Sequence, residues 1–245
     1  MDYRYIPPPL PTLKRLSALR RHYPGQSTLR MLEYETLASK PLAGHVLDVG
    51  GGRKARYIDH LPADITIVSV NIDPAIEPTH VVPAGKPFPI PDDSIDAAIS
   101  FNTLEHVYDA RFLLAETLRV MKPGATAHIT VPFIFRVHAH PDDYFRGTPS
   151  WWAETLRQVG FARAELTPLI WGRYTTAGMI TSYRGLIPRS IQNYWAHVKD
   201  VLYAAVVFRR DTHYAGRRGD RICAVSPGWF ISATKARGAE RAGDA

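Results

Sequence analysis

The stretch that most constrains this chain is "HVLDVGGGRKARYIDHLPADITIVSVNIDP", from His45 to Pro74. A short apolar run ends on an acid, three glycines follow, and a second apolar run closes the segment. "HVLDV" is too short and too evenly apolar for an amphipathic helix, and it reads as a strand buried on both faces. Gly50, Gly51 and Gly52 then let the backbone turn sharply and bring its N–H groups close to a ligand, a geometry that belongs at the carboxyl end of a parallel sheet. Asp48, at the strand end, can hold that loop or meet a positive group on a ligand. An acid serves a nucleotide phosphate poorly. The segment also has no GK[ST], and its glycine spacing is not that of a dinucleotide fingerprint. A tight structural turn with no ligand is the plainer alternative.

The texture after Gly44 extends the pattern. "ITIVSV", "IDAAISF" and "AHITVPF" read as further strands, and "GWFISATK" as a late one, so the segment alternates strand and helix as a parallel α/β sheet does. Between the third and fourth runs, Leu114, Leu118 and Met121 recur at helical spacing. A helix is predicted from about Ser27 to Ser39, and Thr148 before Pro149 marks another helix start. From Ile191 to Val206, the residues Ile191, Tyr194, Trp195, Val198, Val201, Leu202, Ala205 and Val206 share one helical face. That face either packs on its own domain or lies on a membrane or partner. The chain divides into a basic N-terminal arm and helix over 1–44, a main domain over 45–236 with a helical insertion at about 173–222, and a flexible tail over 237–245.

"VLDVGGG", "VSVNIDP" and "KPFPIPDDSIDAAISFNTLEHVYDARFLLAETLRVMKPGA", in this order, resemble the class I S-adenosylmethionine-dependent methyltransferases, and most closely the type 11 methyltransferase domain. The resemblance implies an α/β, Rossmann-like fold. Its sheet would be mostly parallel, with seven strands flanked by helices and the last strand antiparallel. It implies S-adenosylmethionine as cofactor, held by Asp48, Gly50, Gly51 and Gly52, with Asn71 and Asp73 toward the ribose and Ser100, Phe101 and Asn102 near the adenosine. Three positions depart from the family. Asn71 stands where members carry a ribose-binding acid, Pro83 where an adenine-contacting acid is usual, and Lys54 where the third glycine of the loop belongs. These departures leave open a catalytically inactive relative that binds or scaffolds.

The second informative stretch is "HAHPDDYFRGTPSWW", just after the fourth clear strand. It resembles a segment of methyltransferases found with cell-surface polysaccharide biosynthesis, which makes His138, Asp143, Tyr144 and Arg146 the candidate catalytic residues. The resemblance implies O-methylation of a sugar or glycan precursor. His138 has the ordinary pKa range of a base for a hydroxyl, Asp143 can orient it, and Arg146 can hold an anionic group. Alternatively, Asp143 and Arg146 form an ion pair that pins the loop. His138-x-His140-x-Asp142 also resembles the H-x-H-x-D-H metal motif of metallo-β-lactamase-like hydrolases, but Asp143 replaces the final His and the strand–helix alternation is wrong for that fold. No metal is therefore expected, and His106 has a common counterpart in the methyltransferases.

The formal charge of +7 favours an anionic partner. Residues 1–44 hold seven basic side chains against three acids. With no RNA-binding module or base-flipping motif in view, nucleic acid is the weaker expectation. A small-molecule or lipid-linked glycan substrate is favoured, with peripheral membrane contact through 191–208 and the basic loops. The single Cys223 fits a reducing compartment, and a cytoplasmic location is expected.

Overall fold

A computed structural model describes residues 1–138, 142–182 and 186–238. His140 and most of the expected tail lie outside the described residues. In chain order the elements are β1 (Asp2–Tyr5), α1 (Leu13–His22), α2 (Thr28–Leu37), β2 (His45–Val49), β3 (Thr66–Asn71), β4 (His80–Val81), β5 (Ile95–Phe101), α3 (Ala110–Val120), β6 (Met121–Pro132), α4 (Pro149–Val159), β7 (Arg163–Pro168), α5 (Arg173–Thr181), α6 (Arg189–Val207), α7 (Gly216–Cys223) and β8 (Gly228–Thr234), with short 3-10 turns between some of them.

The strands form one sheet in the order β1-β7-β8-β6-β5-β2-β3-β4. β8 runs antiparallel to both β6 and β7, as expected of the last strand, and the remaining pairs are parallel. The sheet has eight strands rather than seven because Asp2–Tyr5 joins it, pairing in parallel with β7. Tyr3 and Tyr5 alternate inward along this strand and pack against the core, whereas Asp2 and Arg4 face water. That period-two alternation is the pattern of a strand with one face on the core.

The two sheet faces carry separate apolar layers. Leu47, Val49 and Ala98 pack with Leu114 of α3 and Trp152 and Leu156 of α4. Val46, Ala97, Ile99 and Phe101 pack on the other side with Leu16 and Leu19 of α1 and Leu29, Leu32 and Leu37 of α2. Residues 1–44 are thus built into the main core. The α4 start matches its sequence signal: Thr148 Oγ1 accepts from Trp151 N at 3.3 Å, and Gly160 ends the helix at φ +107°.

α5 and α6 lie between β7 and β8 in sequence. Asp200 of α6 is buried, and its two carboxylate oxygens accept from the backbone N–H groups of Tyr174 and Thr175 at 3.0 and 2.8 Å. It therefore caps α5 from another helix, since Gly172 at the cap position has no side chain to do so. A Cβ on Gly172 would fall 2.3 Å from the Asp200 carboxyl carbon. Among the described residues no helix is long and apolar enough to cross a membrane.

Candidate active site

β2 delivers Asp48 to the carboxyl end of the sheet, next to Ile99 of β5 and Ser69 of β3. Asp48 is fully buried. Its Oδ1 accepts from the Tyr57 hydroxyl at 2.7 Å, while Oδ2 has no hydrogen-bond partner. Burial pushes its carboxyl up to about 7, against the smaller opposing effect of the Tyr57 bond. The three glycines pack where side chains have no room. A Cβ on Gly50, which sits at φ +88°, would fall 2.2 Å from Thr103 Oγ1. One on Gly51 would fall 1.9 Å from Asp48 Oδ2, and one on Gly52 would fall 2.5 Å from the Ile76 carbonyl.

Asn71 and Asp73 are engaged with their own chain. Asn71 Nδ2 donates to the Gly50 carbonyl at 2.7 Å and stands 3.3 Å from that of Gly51, and its Oδ1 accepts from Asp73 N at 3.0 Å. Asp73 Oδ1 accepts from Ala75 N at 2.8 Å and caps a short turn. An amide suits Asn71's position because it must donate to a carbonyl, which a carboxylate cannot do. Ser100 is buried and donates to the Val49 carbonyl at 3.1 Å; Phe101 packs edge-on against Tyr57 at 4.9 Å. Asn102 adopts φ +50° and donates through Nδ2 to Glu33 Oε1 at 2.8 Å and Thr130 Oγ1 at 3.0 Å. Glu33 is itself buried on α2 and held by Arg30 at 2.9 Å. The N-terminal segment therefore fixes the residue that follows β5.

The histidine–aspartate stretch folds over the end of β5. Asp143 accepts from His138 N at 2.8 Å and forms a two-pronged ion pair with Arg146, with Nη2 to Oδ2 at 2.6 Å. The Arg146 guanidinium holds the Asp143 carboxyl well below the usual carboxylate range. The pair pins the loop, and Asp143 Oδ2 also stands 3.4 Å from His138 Nδ1. Burial pushes the His138 imidazole down. Tyr144 is half exposed and donates to Asp142 Oδ2 at 3.1 Å. It stands apart from His138's ring contacts and lines a cleft of about 360 Å³ with Tyr108, Arg111, Phe145, Arg146 and Trp151. In this cleft Tyr108 stacks edge-on against Tyr144 at 5.6 Å.

Two residues outside the sequence-derived candidates complete the site. Glu105 is 1% exposed, and neither carboxylate oxygen accepts a hydrogen bond. Burial pushes its carboxyl up to about 8. His106 Nε2 stands 3.6 Å and His138 Nε2 3.8 Å from Glu105 Oε1. The signal for them was a charged pair, "EH", placed directly after a buried strand, where an acid must have a reason to be. In the rival metal motif, Asp142 turns its carboxylate to the Tyr144 hydroxyl.

Residues 47–129 match the family described as a methyltransferase domain. Among solved structures, a SAM-dependent methyltransferase of Thermotoga maritima superposes with a TM-score of 0.53 at 13% identity, over 91% of this chain and 97% of that one. The fold is that of the class I methyltransferases. A [4+2]-cyclase, SpnF, shares this fold with a TM-score of 0.51 at 16% identity, over 95% of this chain and all of that one, 100%. An "Uncharacterized methyltransferase" of Mycobacterium ulcerans is 36% identical over 104 residues, covering 38% of this chain and 39% of the relative. A Mycolicibacterium smegmatis protein named "Probable S-adenosylmethionine-dependent methyltransferase" is 27% identical over 110 residues, covering 40% and 42%. The chain thus spans about two-fifths of the length of the curated relatives it matches.

The methyltransferase domain implies S-adenosylmethionine, and the residues present fit it. The orphaned Asp48 oxygen supplies an acceptor for an ammonium group. The glycine cradle, which no Cβ could enter, brings backbone within reach of a ligand.

Proposed function

We propose that this chain is an S-adenosylmethionine-dependent methyltransferase that methylates an oxygen of a sugar or glycan precursor, in the cytoplasm or at the cytoplasmic membrane face. The observation that carries the reading is Asp48: a fully buried carboxylate with one oxygen held by Tyr57 and the other without a partner, behind three glycines. A buried acceptor left unpaired costs about 1–3 kcal/mol, which a bound cation such as the cofactor's ammonium would recover.

The cofactor would supply an electrophilic methyl on a sulfonium. The chain's own work is to hold the acceptor in line and to take up its proton. The Glu105–His106–His138 group is the place where a hydroxyl proton would be handled. The Tyr108–Tyr144–Trp151 cleft, with Arg111 and Arg146 at its wall, offers aromatic faces for a sugar ring and guanidinium charge for a phosphate. Isothermal titration with S-adenosylmethionine and S-adenosylhomocysteine, then transfer of labelled methyl to nucleotide sugars, lipid-linked glycans and RNA, tests this. Absence of binding at millimolar ligand would sink it. RNA as the sole acceptor would keep the reaction and replace the substrate.

A second reading rests on Asn71. Its amide closes on the glycine-loop carbonyls, and Asp73 is spent on a turn, so neither side chain is free for ribose hydroxyls in this arrangement. A binding or scaffolding protein that transfers nothing would tolerate that closure. The fold also occurs in a protein named as a [4+2]-cyclase, so the fold by itself does not fix the reaction. Cofactor binding without transfer to any of the three acceptor classes would favour this second reading.

A further inference from the structure

Three lone pairs converge beside the end of β5. Glu105 Oε1 lies 3.6 Å from His106 Nε2 and 3.8 Å from His138 Nε2, and all three ligand atoms fall within 4.8 Å of one another. The imidazole tautomers are set from behind. His106 Nδ1 faces the Asp142 carbonyl, and His138 Nδ1 faces the Arg136 carbonyl at 3.2 Å with Asp143 Oδ2 beyond it. A carbonyl only accepts, so these partners favour the tautomer with the proton on Nδ1, which leaves each Nε2 a lone pair. Arg146 Nη2 carries two protons: one goes to Asp143 Oδ2 at 2.6 Å, and the other is shared between the Arg136 carbonyl and His138 Nδ1, each at 3.4 Å. Two nitrogen lone pairs therefore point toward a buried carboxylate that accepts no hydrogen bond from the protein. Such a cluster needs positive charge among its atoms, supplied either by a proton on the buried carboxyl or by a cation held between the three.

We propose that Glu105, His106 and His138 form a binding site for one divalent transition-metal ion, zinc being the best match to a two-histidine, one-carboxylate set. Ligand bonds of about 2.0–2.2 Å place neighbouring ligands of a tetrahedron roughly 3.4 Å apart, close to the separations found here. The carbonyls behind both rings do what outer partners do in metal sites: they fix the tautomer and orient the ring. Glu105 lies at the closed end and the histidines toward solvent, with 16% of the His106 and 35% of the His138 side chain exposed. The ion's remaining positions would open there, on the side of the loop that carries Tyr144 and Arg146. This inference does not rest on the methyltransferase reading and departs from the sequence expectation of no metal; an ion on both Nε2 atoms would take the two histidines out of the role of base for a hydroxyl proton.

The test is equilibrium dialysis of metal-stripped full-length protein against Zn²⁺, with metal counted by elemental analysis. One ion per chain is expected, with affinity falling at least about tenfold in Glu105→Gln, His106→Ala and His138→Ala. Glu105→Gln keeps the shape of the side chain, and its circular dichroism must match the parent. Co²⁺ soaked into the same protein should give visible absorption bands that each of the three variants perturbs. Asp142→Ala, which removes the carboxylate that meets the Tyr144 hydroxyl and keeps the backbone carbonyl behind His106, should leave both readouts unchanged. No bound ion in the parent overturns the proposal. Binding lost equally in Asp142→Ala and His140→Ala, but kept in Glu105→Gln, would also overturn it and hand the ion to the H-x-H-x-D set.

A second inference comes independently from α6, whose polarity is inverted. Its buried residues are Ala196, His197, Asp200 and Ala204, while Ile191, Trp195, Leu202 and Val206 are exposed, Leu202 by 61% and Val206 by 76%. On a helical wheel these four exposed residues span an arc of roughly 60°, opposite the buried set. Leu186 and Ile187, just before the helix, are exposed too. The rim is cationic: Arg189 and Arg209 stand at the two ends, Lys199 lies on the flank, and Arg20 stacks over Tyr194 at 5.7 Å. The one acid on the helix, Asp200, points inward.

We infer that this face docks on an anionic bilayer surface. A second copy would bring like-charged rims together, whereas anionic headgroups match the rim and acyl chains match the stripe. In flotation with vesicles of phosphatidylcholine and phosphatidylglycerol at about 3:1, the protein should rise with the lipid, and Trp195 fluorescence should shift to the blue. Pure phosphatidylcholine should capture at least about tenfold less, since each basic residue near the surface contributes about 1 kcal/mol. Leu202→Glu, at an exposed position that should not disturb folding, should abolish flotation. Failure to float with the mixed vesicles overturns the inference. So does a dimer in solution that Leu202→Glu dissociates, which would assign the face to a second copy.

Discussion

The glycine loop is where one added carbon has the most to disturb. Gly51→Ala would place Cβ 1.9 Å from Asp48 Oδ2 and 2.0 Å from the Tyr57 hydroxyl, so the Asp48–Tyr57 bond must break or the loop must move. We expect a stability loss of about 1–3 kcal/mol and no detectable S-adenosylmethionine binding, read by denaturant unfolding and calorimetry. Retained binding would show that the cofactor does not use this loop. Asn71→Asp is the sharper case. A rule taken from the family says an acid here should tighten ribose binding, but the structure says the acid would face two carbonyls with no proton to give. We expect it to destabilise the free protein by about 1–3 kcal/mol and to leave cofactor affinity unimproved. Tighter binding by titration would mean that the loop opens and Asn71 swings free. The sequence could place Asn71 at the ribose position, but it could not show that its amide is already spent.

Elements, unlike single residues, were largely readable in advance, because strands such as "HVLDV" and "IDAAISF" are buried on both faces and carry their signal locally. What escaped was work done across elements. Nothing near Gly172 announces that Asp200, on the next helix, will cap it. Nothing in "LRMLEYETL" announces that Glu33 will hold Asn102 at the end of β5. The apolar face of α6 was visible in the sequence, but its direction was not, since periodicity shows that a helix is two-sided and not which side meets the protein. Asp200→Ala should unfasten two helices together: it removes the cap of α5 and leaves the N–H groups of Tyr174 and Thr175 buried or partly buried without an acceptor. The expected cost is about 0.5–2 kcal/mol for the cap alone, and hydrogen exchange should speed up in α5 before it does in the sheet. Uniform acceleration would mean that α5 does not depend on this cap.

At the scale of the whole molecule, two buried imidazoles set a pH dependence remote from the site. His128 lies between β6 and β8 and donates to or accepts from Ser232 Oγ at 3.0 Å; His197 meets Thr28 Oγ1 at 3.0 Å. Burial pushes each of them down to about 4. The unfolded chain takes these protons near 6.5 and the folded chain only near 4. Stability is therefore whole above about 6.5 and drains away as pH falls toward 4, by up to about 1.4 kcal/mol per pH unit for each ring. Asp48, raised to about 7 by burial, runs the opposite way and loses stability as pH climbs from the ordinary aspartate range. The useful measurement is thus the difference between the parent and the His128→Gln, His197→Gln double variant in urea midpoints at pH 7 and pH 5. The parent should lose more on acidification. Equal losses would show that one or both rings stay solvated. Neither ring's burial could be read from sequence: "AHITVPF" marks a strand, but not which neighbour covers its histidine.

The edge strand β1 has a consequence in time rather than in space. Asp2–Tyr5 is synthesised about 160 residues ahead of its partner in the sheet, Arg163–Leu166. Until then two tyrosines and a row of backbone donors and acceptors have no native place to go. Strand pairings this distant along a chain form late, because the intervening loop must be closed before any contact repays it. Vectorial synthesis therefore makes Asp2–Tyr5 one of the last strands to be sealed, although it is made before the rest of the sheet. A nascent chain halted short of β7 would carry Asp2–Tyr5 as an open edge.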